Sequence, residues 1–340
     1  MQVFVYEFVS GGGLWSKPDW GQPSGSLLAE GLAMFNAVAE DFAALKDVDV
    51  VTTRDCRIVD HLAIDGLRSY SVDSPETDVE TFRRLAGDSD ATLVIAPEID
   101  GVLIARCDQV IKAGGRLLAT DVDFVRLASD KYSTAKALTR AHIPTIPTLL
   151  GNDPSIEELE PPLIVKLRFG AGSLGVRRVE SAIELTAAER GDNFCVQQFQ
   201  AGRPASVTAL RGKNSHAVFP PFWQRFRDPG FEYIGGSLIG EADLIARAEW
   251  LAEAVVDRLP KAIGYFGIDI LLGSTPNDDR IVEINPRLTT SYVGLRACVR
   301  GNLAEAMLWC QTGEPFNLPR KPPTTLSFSA MGEVTVGQIG

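Results

Sequence analysis

The stretch DRIVEINPRLTTSY, residues 279–292, read with GYFGIDILLG at residues 264–273, decides the fold of this chain. Both runs are rich in Ile, Leu and Val and are separated by a break at Asn277, Asp278 and Asp279, the pattern of a β-hairpin in which every second side chain shares a face. Asp269 interrupts the first run and Glu283 the second. A buried strand tolerates a carboxylate when something pairs with it; two on neighbouring strands, with the Asn285 amide beside them, need a shared cation. Three hard oxygen donors suit Mg²⁺, with Mn²⁺ as an alternative, and phosphate oxygens complete the shell of such an ion. The hairpin therefore reads as the floor of a nucleoside triphosphate site. Pro286 stops the strand, which leaves Arg287 just beyond the ligands, placed to grip a phosphoryl group.

At 340 residues with 45% hydrophobic content, the chain suits two or three globular lobes and is neither disordered nor repetitive. A formal charge of −11, with no offsetting basic patch, argues against nucleic acid or a membrane surface as partner. An anionic ligand must then be held by a few clustered cations and a metal. The five cysteines, at 56, 107, 195, 298 and 310, form no CxxC pair and no ligand spacing with the three histidines, as expected of free thiols in a reducing cytoplasm. MQVFVYEFVSGGG lacks a basic leader, and no apolar run reaches about 18 residues.

The pattern of apolar residues predicts strands at 3–8, 48–52 and 92–96, with a helix from about Ser26 that buries Leu27, Leu28, Leu32, Phe35, Val38 and Phe42. A second helix at 101–113 completes a small parallel α/β lobe. Residues 127–141 read as one helix, ended by IPTIPT. Beyond it come strands at 163–167, 176–179 and 194–199 with a helix near 181–190. Strands at 205–211 and 217–222, a helix at 241–259, the metal hairpin, a helix at 301–311 and a strand at 324–329 finish the chain.

Lys166 leaves the strand PLIVK ahead of glycines 170, 172 and 175, a loop able to close its N–H groups over phosphates; alone it is equally a plain flexible hairpin. It is neither a Walker A loop nor a dinucleotide fingerprint. Lys131 opens a helix, where acids are favoured, and otherwise reads as a surface lysine. Gln197, Gln198 and Phe199 stand where an adenine would find main-chain and amide partners, or form a solvated strand edge. Arg225 and Arg227 share a strand face, as substrate cations or as a surface pair.

Taken in order, these features closely resemble the ATP-grasp superfamily over about residues 125–315. The likeness implies an α/β chain in three parts: a pre-ATP-grasp lobe at 1–125, a lid subdomain at 126–200 and a C-terminal subdomain carrying the hairpin at 201–340. It implies that Lys131, Lys166 and the glycine loop contact ATP, that Gln197, Gln198 and Phe199 meet adenine, and that Asp269, Glu283 and Asn285 hold Mg²⁺. Pro204 stands where many relatives carry an acid for the ribose. VYEFVSGGG, YIGGS and EINPRLTTSYVGLR look more narrowly like the tyramine–glutamate ligase family of methanofuran synthesis and its relatives in methylotrophic C1 metabolism.

The expectation is an ATP-dependent ligase that joins an amino acid to an amine through an acyl phosphate, with Arg287 and Lys166 as the catalytic cations. Another amide or dipeptide ligase, or an ATP-binding sensor without turnover, fits the same scaffold; a homo-oligomer is compatible with either. Because ligands lie outside the carboxyl ends of parallel strands, Glu7 with Ser10, Gly11 and Gly12 is expected at the acceptor. Trp15 and Trp20 would then wall an aromatic ring, or simply cover the core edge. Tyr233 of YIGGS, Arg225 and Arg287 complete the expected substrate set.

Overall fold

The computed structural model describes residues 1–58, 64–118, 120–259 and 262–337. Its first sheet joins β1 (Gln2–Glu7), β2 (Asp49–Asp55), β3 (Arg68–Val72) and β4 (Ala91–Ile95), all parallel, in the order β3-β2-β1-β4. All of β1 beyond Gln2 is buried, because helices cover both faces of the sheet. On one face α1 (Gly25–Ala43) packs Phe35, Val38 and Phe42 against Val3 and Val5. On the other, α2 (Pro75–Asp88) and α3 (Val102–Lys112) bury Phe82 and Leu103 with Phe4 and Tyr6.

Residues 127–141 are two helices rather than one: α4 (Val122–Ser129) ends and α5 (Lys131–Arg140) begins at Asp130. Asp130 has extended backbone, and its carboxylate accepts from the Tyr132 and Ser133 amides, so the side chain starts a new helix instead of continuing the old one. Phe124, Ala128 and Leu138 of this pair pack in the core of the large C-terminal sheet, and not in that of the smaller sheet that follows.

The smaller sheet orders β5 (Thr148–Leu150), β6 (Leu163–Leu167), β7 (Arg177–Val179) and β8 (Phe194–Gln198) as β5-β8-β6-β7, antiparallel, around Leu163, Val165, Val179 and Val196. The helix expected near 181–190 is only a single turn at Ala182–Glu184. That segment lacks an apolar face at helical spacing; its Glu189 instead clamps Arg177 of β7 at 2.6 Å.

The large sheet contains β9 (Arg203–Arg211), β10 (His216–Val218), β11 (Phe222–Phe226), β12 (Tyr233–Leu238), β13 (Gly264–Leu272), β14 (Arg280–Asn285), β15 (Thr325–Ser329) and β16 (Val334–Gly337). The order is β14-β13-β9-β11-β12-β15-β16, with β10 beside β9. Pro220 and Pro221 split the single strand expected at 217–222 into the end of β10 and the start of β11. The glycines of YIGGS explain why β12 was not foreseen. They are there for packing: a Cβ on Gly235 would lie 2.0 Å from the Phe328 carbonyl of β15.

One face of this sheet buries Ala248, Leu251 and Val255 of α6 (Ala242–Arg258). The other meets α7 (Tyr292–Leu295) and α8 (Leu303–Thr312), which share a core with α1 of the first lobe. The Tyr292 hydroxyl donates to Asp41 at 2.6 Å across that junction. None of the described helices is long and apolar enough to cross a membrane.

Candidate active site

β13 and β14 pair antiparallel with Asp269 opposite Glu283 and Gly267 opposite Asn285. Ile268, Ile270 and Ile284 turn into the core beneath α6, so alternation sends Asp269, Glu283 and Asn285 the other way, onto the wall of a cavity of about 380 Å³. Asn285 Nδ2 donates to Asp269 at 3.0 Å, and so does Gln224 Nε2 from β11. Glu283 instead meets two ammonium groups, Lys131 at 3.3 Å and Lys166 at 4.0 Å.

These neighbours push the two carboxyls apart. Burial raises the pKa of Asp269, and the facing Glu283 charge raises it further. Burial would raise Glu283 as well, but Lys131 and Lys166 outweigh it and hold that group below its ordinary value. One carboxyl is therefore neutralised by lysines while the other lacks a cation. Among the described residues no three of His, Cys, Asp or Glu gather into a larger cluster. Two carboxylates and an amide oxygen beside a cavity fit a hard divalent ion that takes few protein ligands.

Above the hairpin lies the glycine loop between β6 and β7. Gly172 and Gly175 take φ of +62° and +70°, a turn that side-chain-bearing residues rarely adopt. Lys166 is buried at its base, and burial lowers its pKa against the opposing pull of Glu283. Lys131, at the start of α5, is not a free surface lysine. Its ammonium donates to the Gly170 carbonyl at 2.6 Å, and its own N–H to the Arg168 carbonyl at 3.1 Å. Asp130 explains how a lysine can open this helix, because the acid beside it caps the terminus and grips Arg168 at 2.8 and 2.6 Å.

Gln197, Gln198 and Phe199 run along another wall of the same cavity, with Ile146, Ile164 and Leu271 giving it apolar character. The Gln197 amide donates to Thr148 at 2.8 Å, and the Phe199 N–H just beyond β8 donates to the Pro162 carbonyl at 2.8 Å. Pro204 also lines the cavity.

Of the expected substrate residues, Arg287 and Tyr233 reach the cavity. Arg287 is held from the first lobe by Glu98, at 3.0 and 3.2 Å, and donates to the Leu288 carbonyl at 3.1 Å. Arg225 does not line the cavity; its guanidinium donates to the Phe328 carbonyl at 2.9 Å. Arg227 is paired with Glu232 at the surface.

Glu7, Ser10, Gly11, Gly12 and Trp15 are likewise not brought there, and the reason is packing. The Glu7 carboxylate turns back to accept from the Val9 and Ser10 amides at 3.1 and 2.6 Å, with Gly31 of α1 pressed against it. Gly11 and Gly12 leave no room for a ligand, since a Cβ on either would sit 2.3 Å from the Glu7 carbonyl or 2.5 Å from Val72. Trp15 stacks under Arg57 at 4.0 Å, and Trp20 packs on Phe8.

The smaller antiparallel sheet and the lysine-guarded carboxylate hairpin meet at one cavity, with Glu30 of the parallel first lobe on its wall. The ATP-grasp domain description matches residues 128–291, and the pre ATP-grasp 3 domain description matches residues 48–123. The chain belongs to the ATP-grasp superfamily. As an ATP-grasp ligase it is an enzyme that uses ATP.

Two curated relatives are named tyramine–L-glutamate ligase. The protein of Methanocaldococcus fervens is 24% identical over 294 residues, covering 83% of this chain and 87% of that one. The protein of Methanocaldococcus jannaschii is 23% identical over 299 residues, covering 83% of each. Among solved structures, an ATP-grasp superfamily protein of Archaeoglobus fulgidus superposes with a TM-score of 0.69 at 21% identity, covering 96% of this chain and 92% of that one. N5-carboxyaminoimidazole synthetase of Staphylococcus aureus gives 0.71 at 15%, covering 96% and 81%. At such identity these two show the fold alone.

Two residues that line this cavity and one that holds a lining residue carried no expectation from sequence. Gln224 bonds Asp269, Glu98 holds Arg287, and Glu30 of α1 lines the cavity beside Thr290. For Glu98 a signal existed: it stands just past the carboxyl end of β4, where open parallel sheets bind ligands. For Glu30 and Gln224, an acid on a half-buried helix face and a polar residue in a strand gave none.

Proposed function

We propose that this ligase joins glutamate to tyramine or a tyrosine-like amine, in the synthesis of a furan-type C1 cofactor, by way of an acyl phosphate. The observation that carries the reading is the hairpin itself, where Glu283 faces Lys131 and Lys166 beside Asp269 and Asn285 in the same cavity as the glycine loop. The substrate pair is supported by the names of the two Methanocaldococcus relatives.

In this reading the smaller sheet is a lid over ATP, whose phosphates lie under the loop of Gly170, Gly172 and Gly175. Lys131 and Lys166 leave Glu283 to neutralise phosphate oxygens. Adenine lies along Gln197, Gln198 and Phe199. Asp269, Glu283 and Asn285 would hold Mg²⁺, or Mn²⁺, which when bound would offset negative charge on the phosphoryl group. A carboxylate oxygen of glutamate attacks the γ-phosphorus, and the bond to the β-phosphate oxygen breaks to release ADP. The neutral amine then attacks the acyl carbon, phosphate leaves with the electrons of the C–O bond, and the nitrogen loses a proton to give the amide. Arg287, buried and fixed by Glu98, supplies a planar cation beside the acyl phosphate. The protein's task is positioning and charge neutralisation, with no side-chain nucleophile.

A screen of ADP release over amino acids and aromatic amines tests this. Release should need both glutamate and the amine. An ATP-binding sensor would show no such dependence, and another amide ligase would select a different pair.

A further inference from the structure

The cavity wall carries three acids, Glu30, Asp269 and Glu283, and three cations, Lys131, Lys166 and Arg287. The cations are committed: the two lysines face Glu283, and Arg287 is bound to Glu98. Asp269 belongs to the hairpin set. Glu30 alone remains; among the described residues no cation lies within 4.0 Å of it, and its one hydrogen bond comes from the Thr290 hydroxyl at 3.3 Å. Burial raises its pKa, and the distant charge of Arg287 relieves this only in part. A carboxylate left largely desolvated on a cavity wall is costly unless a cation reaches it.

Its surroundings say which cation. α1 reaches the glycine loop: Leu27 lies 3.8 Å from the Cβ position of Gly172, and Glu30 is one turn further on, beside Thr290. Tyr233 on β12 lines the same cavity and feels the charges of both Glu30 and Asp269. Phe226 packs edge-on against Tyr233 at 6.0 Å, and both rings line the cavity. An acid with no cation within 4.0 Å among the described residues, on a cavity wall that carries two aromatic rings, matches a primary ammonium carried on an aromatic group.

We propose that Glu30 holds the ammonium of the aromatic amine substrate, with Phe226 and Tyr233 flanking its ring, and so orients the amine; the nitrogen attacks once it has given a proton to this carboxylate. This rests on the ligase reading above. The same carboxylate chemistry would also suit the α-ammonium of the amino acid, and the test separates the two.

The test is calorimetric titration of the full chain, saturated with ADP and Mg²⁺, in wild-type and Glu30→Gln forms. The probes are tyramine, the alcohol that replaces its amine by a hydroxyl, and glutamate. The wild type is expected to bind tyramine at least tenfold more tightly than the alcohol. Glu30→Gln should erase that preference and leave glutamate affinity unchanged. Glutamine can still accept from Thr290, and the variant should melt no lower than the parent, which separates this result from misfolding. A preference that survives in Glu30→Gln overturns the proposal, as does a loss confined to glutamate, which would assign Glu30 to the amino acid. If the wild type binds a different aryl amine and ignores tyramine, the substrate reading fails, and the ammonium and alcohol pair of that amine decides for Glu30. A wild type with no ammonium preference for any of them also overturns it.

Discussion

Lys131 and Glu283 stand 3.3 Å apart, joining the residue that opens α5 to the carboxylate at the centre of the β13–β14 hairpin. Lys166 stands 4.0 Å from the same carboxylate, so the fold gathers both ammonium groups around Glu283. In the proposed mechanism, binding redirects the lysines to phosphate and the carboxylate to the cation.

Glu283→Gln should therefore abolish turnover while leaving a folded protein. The substitution keeps the shape of the side chain but removes the charge that would hold the ion. Near-normal ADP release at saturating Mg²⁺, with an unchanged circular dichroism spectrum, would refute the metal assignment.

For Lys166→Ala, ATP affinity and rate should both fall. One charge-assisted contact is worth on the order of 1.5–3 kcal/mol, roughly a tenfold to hundredfold loss. Equal nucleotide affinity by titration and an equal single-turnover rate would make Lys166 merely the internal partner of Glu283.

Arg287→Lys should slow turnover by at least about tenfold although the charge is kept, because an ammonium cannot span both Glu98 oxygens and the Leu288 carbonyl as the planar fork does. A lysine variant that matches the parent in kcat would reduce Arg287 to a point charge.

Trp15→Ala is expected to lower stability, on the order of 2 kcal/mol for lost apolar burial and the stack on Arg57, with no change in the KM of the amine. A raised amine KM at unaltered melting temperature would return the N-terminal loop to the substrate site.

The Arg177–Glu189 clamp predicts a pH effect on the lid sheet. Arg177 first, then hydrogen bonds from Thr186, hold the Glu189 carboxyl down at about 2, below its ordinary value. A depressed carboxyl stabilises the fold above its unfolded pKa, and that contribution is lost as pH falls from about 5 toward 2. Acid denaturation of Glu189→Gln should show a flatter slope across that window. An identical slope would mean the clamp adds nothing.

The hairpin was legible because its chemistry violates its context. Carboxylates inside apolar alternation are costly, so Asp269 and Glu283 announced a site from sequence, and Lys166 at a strand end pointed toward it. Periodicity likewise marked α1, α6 and the buried strands. Glu30 was not legible, since an acid on a half-buried helix face is ordinary until folding brings Thr290 beside it, and Glu98 offered only its place just past the carboxyl end of β4. The tryptophan loop misled for the opposite reason. Glycines and aromatics after a parallel strand suggest a pocket, yet here the glycines let Val72 and the Glu7 carbonyl close onto the turn, and Glu7 is consumed by its own loop. The 127–141 helix broke at Asp130 because that carboxylate caps the Tyr132 and Ser133 amides, an arrangement that Arg168 of the smaller sheet's loop then fixes from a distance in sequence.

The most direct test of amide formation through an acyl phosphate is isotope transfer from glutamate carrying ¹⁸O in its carboxylates, incubated with the enzyme, MgATP and the amine. The account predicts one ¹⁸O in the released phosphate for every amide formed. Phosphate that carries no label while amide accumulates would contradict it.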